Sequence, residues 1–161
     1  MNYEENIYNE LWAYLTELFP NTPVIQGLQN NTPLPIDAIV MTLMPYTQDL
    51  DQARYEHDGD IQESLVQGSK LQMMQLDFYG TQAYDKAMKT ATLWRSQYST
   101  NVLQGVQPLY ANNPKNLEYV NEQDQYEKRF LLEIALQYNP HYTYAEQSST
   151  TAAIDINLAN S

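Results

Sequence analysis

The sequence predicts one α+β domain: a small, mainly antiparallel or mixed sheet with helices packed on one face, an extended loop arm and a C-terminal tail. Three observations carry that prediction. Residues 3–18 repeat apolar side chains at helical spacing, residues 69–79 and 125–138 alternate apolar with polar side chains, and the first of these alternating runs passes through Gly80 into an alanine-rich stretch of helical period. A chain of 161 residues is long enough to bury roughly 70% of its unfolded surface around one core. Residues 1–140 are therefore expected to form the domain, and 141–161 a flexible extension that docks on a neighbour.

Taken in order, Ile7, Leu11, Tyr14, Leu15 and Leu18 make one face of the first helix, widened by Tyr8 and Trp12. Glu4 and Glu5 stand where the exposed amides of a helix start favour negative charge, and Pro20 forces Phe19 out of helical geometry. A short strand is expected at 24–26, followed by a connection broken by Pro33 and Pro35. AIVMTLM at 38–44 reads as a covered strand stopped by Pro45. Residues 48–63 carry Asp49, Asp51, Glu56, Asp58, Asp60 and Glu63 against one basic residue, Arg54, with few large apolar groups. Such a segment gains little by burial, so a mobile loop or an arm ordered only against a partner is expected.

In the alternating strand 69–79, Met74, Leu76 and Phe78 share one side, while Met73, Gln75, Asp77 and Tyr79 share the other. Gly80 then permits a sharp turn, Thr81 is the expected N-cap, and Ala83, Ala87, Ala91 and Trp94 face the sheet from a helix running to about Tyr98. Residues 105–116 read mostly as loop, with a short extended piece at 117–120. In QYEKRFLLEIALQY, Phe130, Leu132, Ile134, Leu136 and Tyr138 lie opposite Arg129, Leu131, Glu133, Ala135 and Gln137. Beyond Pro140 the chain turns Ser/Thr-rich, with Ile154, Ile156 and Leu158 alternating as in a short strand.

Twenty acidic residues against eight basic ones give a net charge of −12, which argues against a surface that grips nucleic-acid backbones. With no Cys, disulfides, thiolate nucleophiles and cysteine-ligated metals are excluded. The acidic N-terminus lacks the basic and apolar blocks of a secretory signal, and no run approaches the ~20 apolar residues of a spanning helix.

Chemistry has few candidates. His57 and His141 cannot build a multi-histidine centre, and HDGD at 57–60 lacks the ligand spacing of an EF-hand loop. Ser64, Ser69, Ser96, Ser99, Ser148 and Ser149 sit in no nucleophile motif, and the glycines form no phosphate-binding loop. Asp77 and Glu133 are the best carboxylate pair, each on the less apolar side of its strand, with Arg129 or Arg95 as alternative ion-pair partners. No catalytic, cofactor-binding or metal-binding residue is assigned, and no cofactor is expected.

The leading helix, Leu34-Pro35 before AIVMTLM, QLDFYG at 75–80 running into the alanine-rich helix with Trp94-Arg95, and the strand within QYEKRFLLEIALQY together resemble the neck and tail terminator proteins of tailed bacteriophages. The resemblance spans residues 3 to about 138. It implies a non-enzymatic virion protein, assembled in the bacterial host cytoplasm, whose hexameric ring ends the tail tube and joins it to the head-side connector. The implied partners are further copies of itself, the tube protein, a sheath where one exists, and the connector. DNA would pass through the channel without sequence recognition, and no membrane is involved. It also places Asp77, Phe78, Tyr79, Gly80, Trp94 and Arg95 in the scaffold. Two readings compete: a small hydrolase using Asp77 and Glu133, which needs their carboxyls converging in a wet cleft, and an acidic adaptor for a basic protein, which needs salt-sensitive binding.

Overall fold

The computed structural model describes residues 2–28, 35–60, 63–117, 119–120 and 126–145. Helix α1 (Tyr3–Leu18) opens with Asn2, whose side-chain oxygen accepts the Glu5 N–H. It is followed by β1 (Val24–Gln26), β2 (Ile39–Asp49), β3 (Arg54–Asp58), β4 (Glu63–Gln67) and β5 (Lys70–Tyr79). Helices α2 (Ala83–Trp94) and α3 (Gln97–Val102) come next, then β6 (Gln107–Ala111), β7 (Lys115–Asn116), β8 (Tyr119–Val120), β9 (Tyr126–Glu127), β10 (Arg129–Tyr138) and β11 (His141–Ala145).

The main sheet runs β1-β2-β5-β10-β6, with β7 also pairing β10. Only β1–β2 is parallel within it, so the sheet is mixed and mainly antiparallel. At its centre Phe78 opposes Phe130 and Leu76 opposes Leu132. The even-numbered row of β5 and β10, Met74, Leu76, Phe78, Leu132, Ile134 and Leu136, is fully buried against Leu11 and Leu15 of α1 and Ala83, Ala87, Ala91 and Trp94 of α2. Burying side chains of this size contributes about 1.5–3 kcal/mol each, which makes this layer the source of the domain's stability. Tyr14 locks the helices together: its ring meets Trp94 edge-on at 5.7 Å, and its hydroxyl lies 2.6 Å from Ser99 Oγ. On the other face Leu71, Met73 and Ala135 form a small cluster with Met44.

Several expectations are corrected. Pro45 does not stop β2, because the β2–β5 register shifts between Leu43 and Thr47, where a missing amide donor breaks no ladder bond. Gln72 Nε2 donates there to the carbonyls of Met44 at 2.7 Å and Tyr46 at 3.3 Å. Residues 107–111, expected as loop, form strand β6, with Pro108 tolerated at the sheet margin where its own pairing is irregular. The expected single helix to Tyr98 is two, divided where Ser96 caps α3 by accepting the Tyr98 N–H. Gln82, not Thr81, occupies the α2 N-cap position.

Gly80 does adopt the expected glycine conformation, at φ 105°, and a Cβ there would collide with the Asp37 carboxylate. The largest difference concerns residues 48–63 and the start of the C-terminal extension. Instead of a loop, 54–58 and 63–67 form a hairpin, and 141–145 adds to it as β11 in a second sheet of order β11-β4-β3. Backbone pairing supplies the order that apolar burial cannot. Ile154, Ile156 and Leu158 lie outside the described residues.

Candidate assembly surfaces

Residues paired directly across strands share a face, and that rule splits the second sheet into two unlike surfaces. Tyr55, Val66 and Tyr142 line one face together with His57, Ser64 and Tyr144. Arg54, Glu56, Asp58, Glu63, Leu65 and Thr143 line the other. The tyrosines are open to solvent, Tyr55 at 56%, Tyr142 at 62% and Tyr144 at 43%. A hydroxyl chain orders them: Tyr144 donates to Tyr55 at 2.8 Å, and Tyr55 donates to Ser64 Oγ at 3.2 Å. Tyr3 of α1 anchors the sheet's inner end. Its hydroxyl donates to the His141 carbonyl at 2.9 Å and accepts the His141 N–H at 2.8 Å, while its ring stands against Tyr138 and Tyr142.

A second surface is a groove of about 660 Å³ between α1 and the connection after α3, lined by Tyr3, Asn6, Ile7, Ala13, Val102 and Val106 among others. Glu10 crosses its floor, accepting the N–H groups of Gln104 and Gly105, each at 3.2 Å. The rest of the lining mixes apolar and aromatic side chains, Tyr138 among them, with the amides of Asn6 and Asn9 and the carboxylate of Glu17.

Each member of the carboxylate pair is held by partners other than its mate. Asp77 and Glu133 do share the mixed face of neighbouring strands, but Asp77 opposes Leu131 and Glu133 opposes Gln75. Asp77, only 4% exposed, receives Arg129 Nη2 at 2.7 Å, Arg129 Nε at 2.9 Å and Gln75 Nε2 at 2.8 Å. Glu133 accepts from Asn112 Nδ2 at 3.0 Å. Of the two arginines named as partners, Arg129 takes Asp77, whereas Arg95 ties the carbonyls of Ala111 and Asn112. Buried and ion-paired, Asp77 does not open onto the wet cleft that the hydrolase reading needs.

The structure does bring His57 Nδ1 within 3.0 Å of Ser64 Oγ, a pairing that spacing alone did not suggest. Ser64 is completely buried, so no substrate carbonyl reaches its hydroxyl, and the contact holds the hairpin instead. At the hairpin turn Asp58 accepts the Asp60 N–H at 3.0 Å. Among the described residues, no three His, Cys, Asp or Glu side chains are grouped to hold a metal ion, and no helix is long and apolar enough to cross a membrane. His141 is exposed at the start of β11. Burial pushes the phenols of Tyr14, Tyr79 and Tyr138 above their ordinary value. Sequence reading missed Tyr3 and Gln72 as structural ties; the signal for Gln72 was a polar residue in register with Met74, Leu76 and Phe78.

Among the described residues the fold presents an open tyrosine face, unpaired strand edges and a groove beside α1. The phage neck terminator family model matches residues 5–160, and the chain belongs to that family. It is a structural virion protein of the bacteriophage tail and neck, not an enzyme. Its role is in assembly, among head and tail components. No individual curated protein matches the chain.

Proposed function

We propose that copies of this chain close into a hexameric ring that ends the tail tube and joins it to the head-side connector. One observation carries the reading: a paired, tyrosine-bearing sheet stands beyond the core with both outer strands lacking a second neighbour among the described residues. Exposed strand edges and open aromatic faces invite another chain, and in a single soluble molecule they are a liability. A head-to-tail contact made through such a sheet repeats around an axis, and closure gives a ring. In this reading residues 1–140 are the ring's body and 141–161 the part that reaches a neighbour.

The ring covers the tube end to which another subunit would add, while its opposite surface meets the connector. The acidic surface leaves DNA passing through the lumen ungripped, and assembly takes place in the bacterial host cytoplasm. Native mass spectrometry tests this on the purified chain, alone and mixed with the tube protein. A hexamer, free or on tube ends, is the expected species. A monomer at every concentration that also leaves tube length unchanged contradicts the reading.

A further inference from the structure

Strand β11 begins at the groove beside α1, since His141 lines it, and runs outward to Ala145, which pairs with Glu63 at the far end of the hairpin. The chain therefore leaves the described structure at the end remote from its own groove. Residues 146–151 are EQSSTT and residues 152–158 are AAIDINL, with Ile154, Ile156 and Leu158 at alternate positions. In extended backbone those three side chains point one way, with Asp155 and Asn157 the other.

The groove suits that pattern. Ala13, Val102, Tyr3 and Tyr138 offer apolar contact, over Ile7 and Val106 that are already largely buried in the core, within about 660 Å³, roomy enough for three branched side chains in a row. Asn6 and Asn9 on α1, both exposed, put amides on the rim where an extended backbone needs donors and acceptors. Glu10 is already engaged, Glu17, which also lines the groove, is exposed to water, and Asp155 on the opposite side of the segment would face water too. Residues 146–153 span about 26 Å when extended. That exceeds the length of β11, about 16 Å, so the segment reaches either its own groove by reversing at Ala145 or, continuing in the outward direction of β11, the groove of an adjoining copy in the proposed ring; the outward heading favours the second.

We infer that residues 152–158 of one copy seat in the groove between α1 and the 102–106 connection of the adjacent copy, with Ile154, Ile156 and Leu158 inward. The inference rests on the proposed ring, and supplies a link that each subunit both gives and receives. Because the chain has no Cys, Ala13→Cys combined with Ile156→Cys reports the contact cleanly. Oxidised as the native assembly, the double variant should run on a non-reducing gel as dimers and higher multiples, and either single variant as monomer. A disulfide confined to monomer mass overturns the inference, as does no crosslink in a preparation that native mass spectrometry shows to be oligomeric; the latter leaves the ring standing. Monomer throughout, with the tube protein present, removes ring and link together. Independently, Ile154→Asp, Ile156→Asp and Leu158→Asp together should raise the dissociation constant of the assembly at least tenfold with the protomer's melting temperature unchanged. An assembly as tight as the parent contradicts it.

Discussion

In the main sheet Phe78, Leu132, Ile134 and Leu136 are sealed beneath α1 and α2, while in the β3–β4–β11 sheet Tyr55, Tyr142 and Tyr144 stand open, with Tyr3 of α1 set against Tyr142. The first region spends its apolar area inside the protomer, and the second holds its area available. Stability and assembly should accordingly separate by region. Substitutions in the main sheet should unfold the protomer, and substitutions in the tyrosine face should disperse the assembly while the protomer survives.

The largest effect is expected at the centre of the main sheet, where Phe78→Ala should cost about 3–5 kcal/mol in denaturant unfolding. Asp77→Asn comes next, at about 2–3 kcal/mol, because it leaves Arg129 bonded to a neutral amide beside a largely buried site. Near-zero loss would mean that Arg129 re-partners freely. Gly80→Ala should cost about 2 kcal/mol, combining positive φ with the clash against Asp37.

Tyr14→Phe, which keeps the ring on Trp94 but loses the bond to Ser99, should cost about 0.5–1.5 kcal/mol at neutral pH. It carries a pH signature as well. Burial raises the folded phenol's pKa above its ordinary value of 10.0, so the neutral form is favoured in the folded state. Its contribution is complete below the unfolded pKa and declines as pH rises through the raised folded value. The parent should therefore lose stability in that alkaline window more steeply than Tyr14→Phe, as read by unfolding at a series of pH values. Thr81→Ala should be nearly silent, within about 0.5 kcal/mol, since Gln82 holds the cap position without a side-chain bond.

Much of the main sheet was legible because side-chain period reports burial directly. The alternation through Met74, Leu76 and Phe78 and through Phe130, Leu132 and Ile134 fixed both strands and their inward face, and the break at Gly80 marked the turn. The second sheet was not legible for the complementary reason. Arg54–Asp58 and His141–Ala145 bury almost no apolar surface, so no hydrophobic pattern announces them, and their order comes from backbone bonds to β4 and from Tyr3, 138 residues away in sequence from His141. Pro45 and Pro108 misled by the opposite route: a proline forbids a ladder donor, but a register shift removes the need for one. The carboxylates Asp77 and Glu133 were correctly placed on one face, yet their partners depended on a strand register that composition does not encode.

The separation of the two regions is tested most directly by Tyr55→Ser, Tyr142→Ser and Tyr144→Ser in one chain, measured by thermal unfolding and native mass spectrometry in parallel. The expected result is a protomer that melts within about 4 °C of the parent, a loss of roughly 1 kcal/mol, together with disappearance of the oligomer. An oligomer that persists unchanged, or a melting temperature that falls as far as in Phe78→Ala, would contradict the claim that this sheet is held for contact with other chains.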